Sequence, residues 1–273
     1  MWGAIIGDIV GSRFEFHNTN DKDFELFTFD CDFTDDTVLT VAVADSLLCQ
    51  GDDVSEIPFK KTLIKKLKLY VAEYPKAGYG NSFQKWSVSG SEKPYGSCGN
   101  GSAMRVSPVG WYGNTLEEVE KIAKWSAEVT HNHPEGIKGA QCVAGAIFLA
   151  RTGENKEGIK RYAEEKYGYV FDKTVGALRF GGKRPWDETC QVAIPVSMQC
   201  FFEGKDFEDV IRNAVAVGGD SDTFAAIAGS IAEAYYGIPN DLIEIAKQDY
   251  TTNGLNKIID NFYRKIKFNA QYV

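Results

Sequence analysis

The chain has 273 residues, of which 44% are hydrophobic and 25% are charged, and its formal net charge is −8. This length allows one large domain or two small ones with a sizeable core, and the composition is ordinary for a globular protein. The negative charge argues against a general nucleic-acid-binding surface or an anionic-membrane surface, because both need clusters of Lys and Arg.

Cysteine spacing and apolar runs exclude further classes. The six cysteines form no Cys-x-x-Cys pair and no spacing typical of zinc sites, so we expect reduced thiols in a cytoplasmic protein. No run approaches the roughly 18 apolar residues of a membrane span. The first residues, MWGAIIGD, meet a charge at once and are the expected start of the fold. We therefore expect a soluble monomer without a membrane partner.

The first strong helical signal is residues 34–48, TDDTVLTVAVADSLL, which are apolar around most of a helix, as in a buried helix. Thr34 or Asp35 suits its N-cap. Residues 57–73 carry apolar side chains at spacings of three and four with lysines opposite, which predicts a surface helix ended by Pro75. Residues 116–129 repeat this amphipathic pattern.

Helical patterns continue through the second half of the chain. Residues 137–150 are small and apolar, which predicts a buried helix, and residues 186–202 are a long apolar stretch that we expect Pro195 to kink or split. Further helices are predicted over residues 206–217, 220–236, 240–248 and 253–266.

Strand-like alternation is confined to residues 25–30 and 167–170, and no repeat, low-complexity tract or linker divides the chain. The predicted fold is therefore a single all-α domain over residues 1–273. Three segments rich in Gly, Asn or His interrupt the helices, at 76–82, 90–101 and 130–136. Loops on a rigid scaffold are where binding groups tend to lie.

Two acidic clusters, FTDDT at 33–37 and GDSDT at 219–223, each begin an apolar run. Carboxylates this close repel one another and resist burial unless cations or protons neutralise them. If the fold joins the clusters, four carboxylates and several Thr hydroxyls make a site suited to Mg²⁺ or Mn²⁺. The alternative is helix capping, for which one Asp in each cluster would suffice.

Other candidate residues have equally ordinary alternatives. Glu15 could be a surface or ion-paired residue, and Asp8 could cap a turn. The glycine-rich loop at 95–102 could present backbone N–H groups to an anion or be a plain loop, and it lacks the Gly-Lys-Ser/Thr of a P-loop. His131 and His133 lack a third zinc ligand at helical spacing, so binding of a sugar or polar ligand and loop hydrogen bonding remain as alternatives.

Five segments in this order resemble the ADP-ribosylglycohydrolase family, which includes the dinitrogenase reductase-activating glycohydrolases and the ADP-ribosyl-acceptor hydrolases. They are GAIIGDIVGSRFEF at 3–16, FTDDT at 33–37, GSCGNGSAMRVSP at 96–108, THNHPEG at 130–136 and GGDSDT at 218–223. Each segment alone is weak, but the ordered set spans most of the chain and is specific. The resemblance implies a compact all-α fold with a binuclear Mg²⁺ or Mn²⁺ centre in an ADP-ribose cleft.

The resemblance also assigns residues to roles. It implies metal ligation by Thr34, Asp35, Asp36, Asp220, Asp222 and Thr223, with Asp222 placed to bridge two ions. Glu15 matches a glutamate near the scissile bond, and Asp36 or Glu15 would handle the proton. Substrate-binding positions are Tyr79, Gly80, Gly96, Ser97, Cys98, Gly99, Asn100 and His131. Cys98 stands where some relatives carry an aromatic residue, so we expect Tyr95 or Tyr112 beside the adenine.

These expectations favour a metal-dependent hydrolase that cleaves the glycosidic bond between ADP-ribose and an acceptor, with an ADP-ribosylated protein as partner and ADP-ribose as product. An arginine acceptor is slightly favoured over serine, nucleic acid or poly-ADP-ribose. One alternative is a metal-dependent phosphohydrolase of nucleotide diphosphates, which would release AMP. A non-enzymatic alternative is an ADP-ribose reader or a metal-stabilised structural protein.

Overall fold

A computed structural model describes residues 1–51, 54–179 and 187–270. Within these ranges the chain forms fifteen α-helices, one π-helical turn and no strand, and the single extended pairing is an isolated antiparallel bridge between Gly99 and Thr189. The all-α prediction is confirmed. The strands expected over 25–30 and 167–170 are wrong, because these residues lie in coil, bends and the end of a helix.

None of the helices in the described ranges is long and apolar enough to cross a membrane. Their bounds are α1 Trp2–Ser12, α2 Asp35–Leu48, α3 Glu56–Glu73, α4 Asn81–Val88, α5 Gly101–Met104, α6 Ser107–Tyr112, α7 Leu116–Glu128, α8 Pro134–Arg151, α9 Lys156–Tyr167, α10 Val175–Leu178, α11 Cys190–Glu203, α12 Phe207–Val217, α13 Ser221–Tyr236, α14 Asn240–Ile245 and α15 Asn253–Ala270, with the π-helical turn at Ala246–Tyr250.

The helices expected from periodicity are confirmed, with shifted ends. Thr34 is the N-cap of α2, and its Oγ1 accepts a hydrogen bond from the Asp36 N–H at 3.3 Å. Helix α8 begins at Pro134, so the last three residues of the His-rich segment 130–136 belong to this helix. The pattern did not predict α1, α4, α5, α6, α9 and α10.

The sequence predicts that Pro195 kinks or splits its helix; α11 is not split, because it continues through Pro195, and the kink stays a prediction. Pro195 lies in the second turn, and the carbonyl that its missing N–H would have bonded belongs to Gln191, an exposed residue near the start of the helix. The start of the predicted stretch, Trp186, lies outside the described residues.

Helices α1 and α13 approach so closely that their backbones touch. A Cβ atom added to Gly7 would lie 2.2 Å from the Ala225 carbonyl oxygen, and one added to Gly11 would lie 2.4 Å from Asp222 Cα. Glycines every four residues in α1 therefore form a smooth face for α13. This contact brings the C-terminal half of α1 alongside the N-terminal end of α13.

One hydrophobic cluster extends through the described helices, and α2 and α13 lie deep within it, since nearly all their residues are buried. The N-terminal ends of both helices meet the C-terminal half of α1. Backbone N–H groups at a helix N-terminus stabilise negative charge. The fold thus directs two such ends toward the acidic residues of one region.

Candidate metal centre and cleft

The two acidic clusters of the sequence meet in the structure. Thr223 Oγ1 donates a hydrogen bond to Asp36 Oδ2 at 3.2 Å, although the two residues are 187 positions apart. Asp36 lies in the first turn of α2 and Asp222 in the first turn of α13. The convergence expected from the sequence is therefore present.

Asp8 on α1 links these clusters and was not among the predicted ligands. It is fully buried, and its Oδ2 accepts hydrogen bonds from the Thr34 N–H at 2.9 Å and the Thr37 N–H at 3.0 Å. Its Oδ1 accepts from Thr34 Oγ1 at 2.6 Å. Asp8 thus caps α2 from a different helix. The available signal was a lone charge inside the otherwise apolar segment AIIGDIVG.

Five carboxylate side chains form two overlapping groups in the described part of the chain. Oxygens of Asp8, Asp36 and Asp222 lie within 4.8 Å of one another, and so do oxygens of Glu15, Asp220 and Asp222. Asp222 belongs to both groups. The two groups are therefore joined through Asp222 into one buried acidic cluster.

Two oxygens in these groups lack a partner. Among the described atoms, Asp36 Oδ1 and Asp222 Oδ1 are buried without a hydrogen bond. Leaving a buried carboxylate oxygen unpaired is unfavourable unless a cation or a proton compensates it. Oxygen-only ligand sets suit hard divalent cations such as Mg²⁺ and Mn²⁺. The residues present therefore fit a divalent metal site.

The electrostatics of the cluster favour binding of a cation. Burial, followed by the charges of neighbouring carboxylates, raises the pKa of Asp36 and that of Asp222 well above the ordinary Asp value. Burial also raises the pKa of Glu15 to about 7, with the charges of Asp220 and Asp8 adding to the effect. Negative charge confined in this way is relieved by protons or by a divalent cation.

The carboxylates open onto a cavity of about 360 Å³ between the start of α4, the 95–101 loop and His131. Eleven of the predicted site residues line it: Glu15, Asp35, Asp36, Gly80, Ser97, Gly99, Asn100, His131, Asp220, Asp222 and Thr223. The structure therefore brings residues from six separate sequence segments to one cleft.

Four predicted site residues lie outside the described lining of this cleft. The Thr34 hydroxyl is bonded to Asp8, and the Tyr79 hydroxyl donates to the Tyr74 carbonyl oxygen at 2.9 Å. The Gly96 N–H donates to Asn132 Oδ1 at 2.8 Å. The fourth residue is Cys98, whose carbonyl oxygen accepts from the Cys190 N–H at 3.0 Å.

Asn100 has a different environment from the one expected for a simple substrate contact. Its Nδ2 donates to Asp220 Oδ2 at 2.6 Å, and its backbone N–H donates to the Glu188 carbonyl oxygen at 2.7 Å. The side-chain amide therefore orients a carboxylate of the acidic groups.

Sequence reasoning missed several other lining residues. Phe83, Met104 and Leu39 supply apolar surface, and Glu188 supplies an exposed carboxylate from the segment before α11. Of the two aromatic residues considered for adenine, Tyr95 lines the cleft. Tyr112 is buried elsewhere, with its hydroxyl 3.1 Å from the Gly51 carbonyl oxygen. Of these two residues, only Tyr95 therefore lies where it could contact a ligand in the cleft.

Comparison with known proteins gives a consistent result. Residues 1–270 match the model of a family described as ADP-ribosylglycohydrolase. The chain is 25% identical to the ADP-ribosylhydrolase ARH3 of Homo sapiens over 86% of this chain and 84% of that protein. It is 29% identical to the ADP-ribosyl-[dinitrogen reductase] glycohydrolase of Rhodospirillum rubrum over 86% and 84% of the two chains. A solved structure, "ADP-ribosylglycohydrolase-related protein complex", has a similar fold, with a TM-score of 0.69, 22% identity and 96% coverage of both chains.

Proposed function

This chain belongs to the ADP-ribosylglycohydrolase family and is a glycosidase-type hydrolase, and we propose that it cleaves the bond between ADP-ribose and an acceptor in a metal-dependent reaction. The observation that carries the proposal is the pair of carboxylate groups that share Asp222 and open onto the cleft. ADP-ribosylated acceptors are the partners that this activity implies, and ADP-ribose is the product.

Two divalent cations, Mg²⁺ or Mn²⁺, fit the carboxylate groups. We assign one position to Asp8, Asp36 and Asp222 and the other to Glu15, Asp220 and Asp222. Asp35 and Thr223 line the same region and are further candidate ligands. Thr34 is assigned an indirect part, because its hydroxyl is bonded to Asp8. When bound, such cations supply Lewis acidity and a template for hydroxyl and water oxygens.

The side chains themselves suit glycosidic cleavage. The transition state of this reaction carries positive charge on the sugar, and the carboxylates of Glu15 and Asp36 would stabilise that charge. Without a cation, burial and neighbouring negative charges raise the pKa of Glu15 to about 7, and the Glu15 carboxyl group lines the cleft, where it can exchange a proton with a ligand. We therefore assign Glu15 and Asp36 to catalysis.

The cleft offers groups for each part of ADP-ribose. Gly80, Ser97 and Gly99 are candidate contacts to the diphosphate and ribose, and His131 is a candidate contact to the distal ribose. Tyr95 is the candidate neighbour of the adenine. Exposed Glu188 on the cleft lining adds negative charge there, which favours a cationic acceptor such as the arginine guanidinium.

The activity is tested with defined mono-ADP-ribosylated arginine, serine and nucleic-acid substrates and with poly-ADP-ribose, after metal removal and with added Mg²⁺ or Mn²⁺. Mass spectrometry identifies the products. We expect free ADP-ribose and an intact acceptor, only when the cation is present, with the arginine substrate cleaved fastest. Release of AMP would indicate a phosphohydrolase, and binding without turnover of any substrate would indicate a reader.

A further inference from the structure

A buried hydrogen-bond chain ends on the cleft residue His131. Arg105, which follows α5, is fully buried, and its Nη2 donates to Thr130 Oγ1 at 2.9 Å and to the Ser126 carbonyl oxygen at 3.0 Å. Thr130 Oγ1 lies 2.8 Å from His131 Nδ1. The hydrogen bonds thus run from the Arg105 guanidinium through the Thr130 hydroxyl to the His131 imidazole.

The direction of these hydrogen bonds follows from the donors available. A guanidinium only donates, so Thr130 Oγ1 accepts from Arg105. The remaining hydroxyl proton has one acceptor among the described contacts, which is His131 Nδ1. If Nδ1 carried a proton instead, the buried hydroxyl proton would lack an acceptor, which is unfavourable. Nδ1 therefore accepts, and the ring proton lies on Nε2.

The charge near His131 keeps the ring neutral. Arg105 makes no ion pair among the described residues, and its Nε and Nη1 have no hydrogen-bond partner there. Burial and the positive charge of Arg105 lower the pKa of His131 well below the ordinary histidine value. A second ring proton is thus disfavoured beside this unpaired cation.

The Nε2 edge of His131 lies against the glycine loop of the cleft. A Cβ atom added to Gly101 would lie 3.0 Å from His131 Nε2, and one added to Gly99 would lie 3.8 Å from it. Both glycines and His131 line the cavity. Side chains at these positions would crowd the Nε2 edge, so the absence of a Cβ leaves it open to a ligand.

We propose that Arg105 and Thr130 are positioning residues that hold His131 as a neutral ring with its proton on Nε2, so that the ring offers one hydrogen-bond donor to an acceptor oxygen in the cleft. The acceptor would be a phosphate or ribose oxygen of ADP-ribose. The ring state rests on the hydrogen bonds and charges around His131, whereas the identity of the ligand rests on the proposed function.

Nitrogen NMR of the protein labelled with ¹⁵N-histidine tests the ring state without any ligand. The chain has three histidines, and exposed His17 and His133 are internal controls. At neutral pH we expect His131 to show an unprotonated, hydrogen-bonded Nδ1 and a protonated Nε2. Thr130→Val should move the Nδ1 resonance toward that of an unbonded nitrogen, Thr130→Ser should leave it in place, and Arg105→Met should shift it in the same direction as Thr130→Val.

Titration calorimetry with ADP-ribose tests the consequence for binding. Loss of the positioning hydrogen bond in Thr130→Val should weaken binding about tenfold, whereas Thr130→Ser should stay within about threefold of the wild type. A proton on Nδ1, a charged ring at neutral pH, or an Nδ1 resonance unaffected by Thr130→Val would overturn the proposal. If the ring state is as expected but ADP-ribose does not bind to the wild type, the proposed function fails and the ring assignment stands.

Discussion

Asp222 connects both candidate cation positions. Its carboxylate oxygens take part in both groups, and its Oδ1 is buried without a partner in the described part of the protein. Its other neighbours in the groups are also acidic, so its negative charge is uncompensated in the absence of a cation. This makes it the most sensitive position at which to test the metal assignment.

Replacing Asp222 by Asn removes this charge at nearly constant volume. We expect loss of divalent-cation binding and a fall in turnover of at least about 100-fold, because a ligand common to both positions is lost. The melting temperature of the metal-free variant should not fall, because a repelled, buried carboxylate has been removed. Calorimetric titration with Mg²⁺ and Mn²⁺, steady-state rates and thermal unfolding measure these effects.

The matched control is Asp206→Asn. Asp206 is also at the start of a helix, and its Oδ1 accepts from the Asp209 N–H at 2.8 Å, but it does not line the cleft. It should leave cation binding unchanged. Wild-type cation affinity in Asp222→Asn would contradict the assignment of the two positions.

Glu15 and Asn100 line the same cleft, but substitutions of these two residues should change different kinetic and binding quantities. Glu15→Gln removes the group assigned to proton handling and one charge from a proposed cation position, so at saturating cation kcat should fall about 100-fold, while the Kd for ADP-ribose changes less than about threefold. Asn100→Ala frees Asp220 Oδ2 from its 2.6 Å hydrogen bond, so the cation concentration needed for half-maximal activity should rise about tenfold.

Single-turnover rates, ADP-ribose calorimetry and cation titrations separate these outcomes. The sequence alone predicted only a substrate contact for Asn100, and the hydrogen bond to Asp220 adds the effect on the cation. If Asn100→Ala weakens ADP-ribose binding with no change in cation dependence, Asn100 is a substrate contact, as the sequence predicted, and it does not act on the cation.

At the scale of helices, the contact between α1 and α13 determines whether Asp8 and Glu15 reach Asp222. Gly7 of α1 faces the backbone of α13, where an added Cβ would lie 2.2 Å from the Ala225 carbonyl oxygen. A backbone atom cannot move aside as the end of a flexible side chain can. The two helices would have to separate to admit a methyl group.

Gly7→Ala should therefore lower the free energy of unfolding by about 1–3 kcal/mol and weaken cation binding, since Asp8 moves away from Asp222. The control is Gly176→Ala in α10, where the nearest non-adjacent neighbour of an added Cβ would be Thr174 Oγ1 at 3.8 Å, an ordinary van der Waals distance. Alanine has the higher helix propensity, so this variant should be neutral or slightly stabilising. Chemical denaturation with and without Mg²⁺ compares the two. Equal stability of both variants would contradict the close contact.

At the scale of the whole molecule, the buried carboxylates couple stability to pH and to cations. Folding raises the pKa of Asp8 to about 6 and that of Glu15 to about 7, mainly through burial. Unfolded carboxyl groups titrate near pH 4. Between these values the folded state binds more protons than the unfolded state, so stability falls as pH rises.

The melting temperature of the metal-free protein should therefore decrease between about pH 5 and pH 8. Added Mg²⁺ or Mn²⁺ should raise it, and more at pH 8 than at pH 5, because cations compete with protons for the same oxygens. Thermal unfolding of EDTA-treated protein, with metal loss checked by elemental analysis, measures both effects. A metal-free melting temperature that rises with pH over this range would refute the linkage.

Local patterns were sufficient for much of the fold and part of the site. The apolar runs after FTDDT and GDSDT predicted α2 and α13. The two clusters predicted a shared acidic site, and a hydrogen bond between Thr223 and Asp36 connects them in the structure. Helix α1 was not predicted, because glycines favour a helix only when a partner helix covers them. The sequence pattern left a kink and a split at Pro195 as alternatives, and the helix is not split, because the carbonyl that loses its partner lies near an exposed helix start.

The sequence by itself determined the all-α class, the family resemblance and the residue types of a metal-binding cleft, because periodicity and short motifs depend on neighbours along the chain. Only the tertiary structure decided that Asp8 caps α2, that Asn100 holds Asp220 and that Arg105 acts on His131 through Thr130. Except for the contact between the neighbours Thr130 and His131, these contacts join residues that are 25 to 120 positions apart. Their partners are set by how the helices pack, which no local pattern encodes.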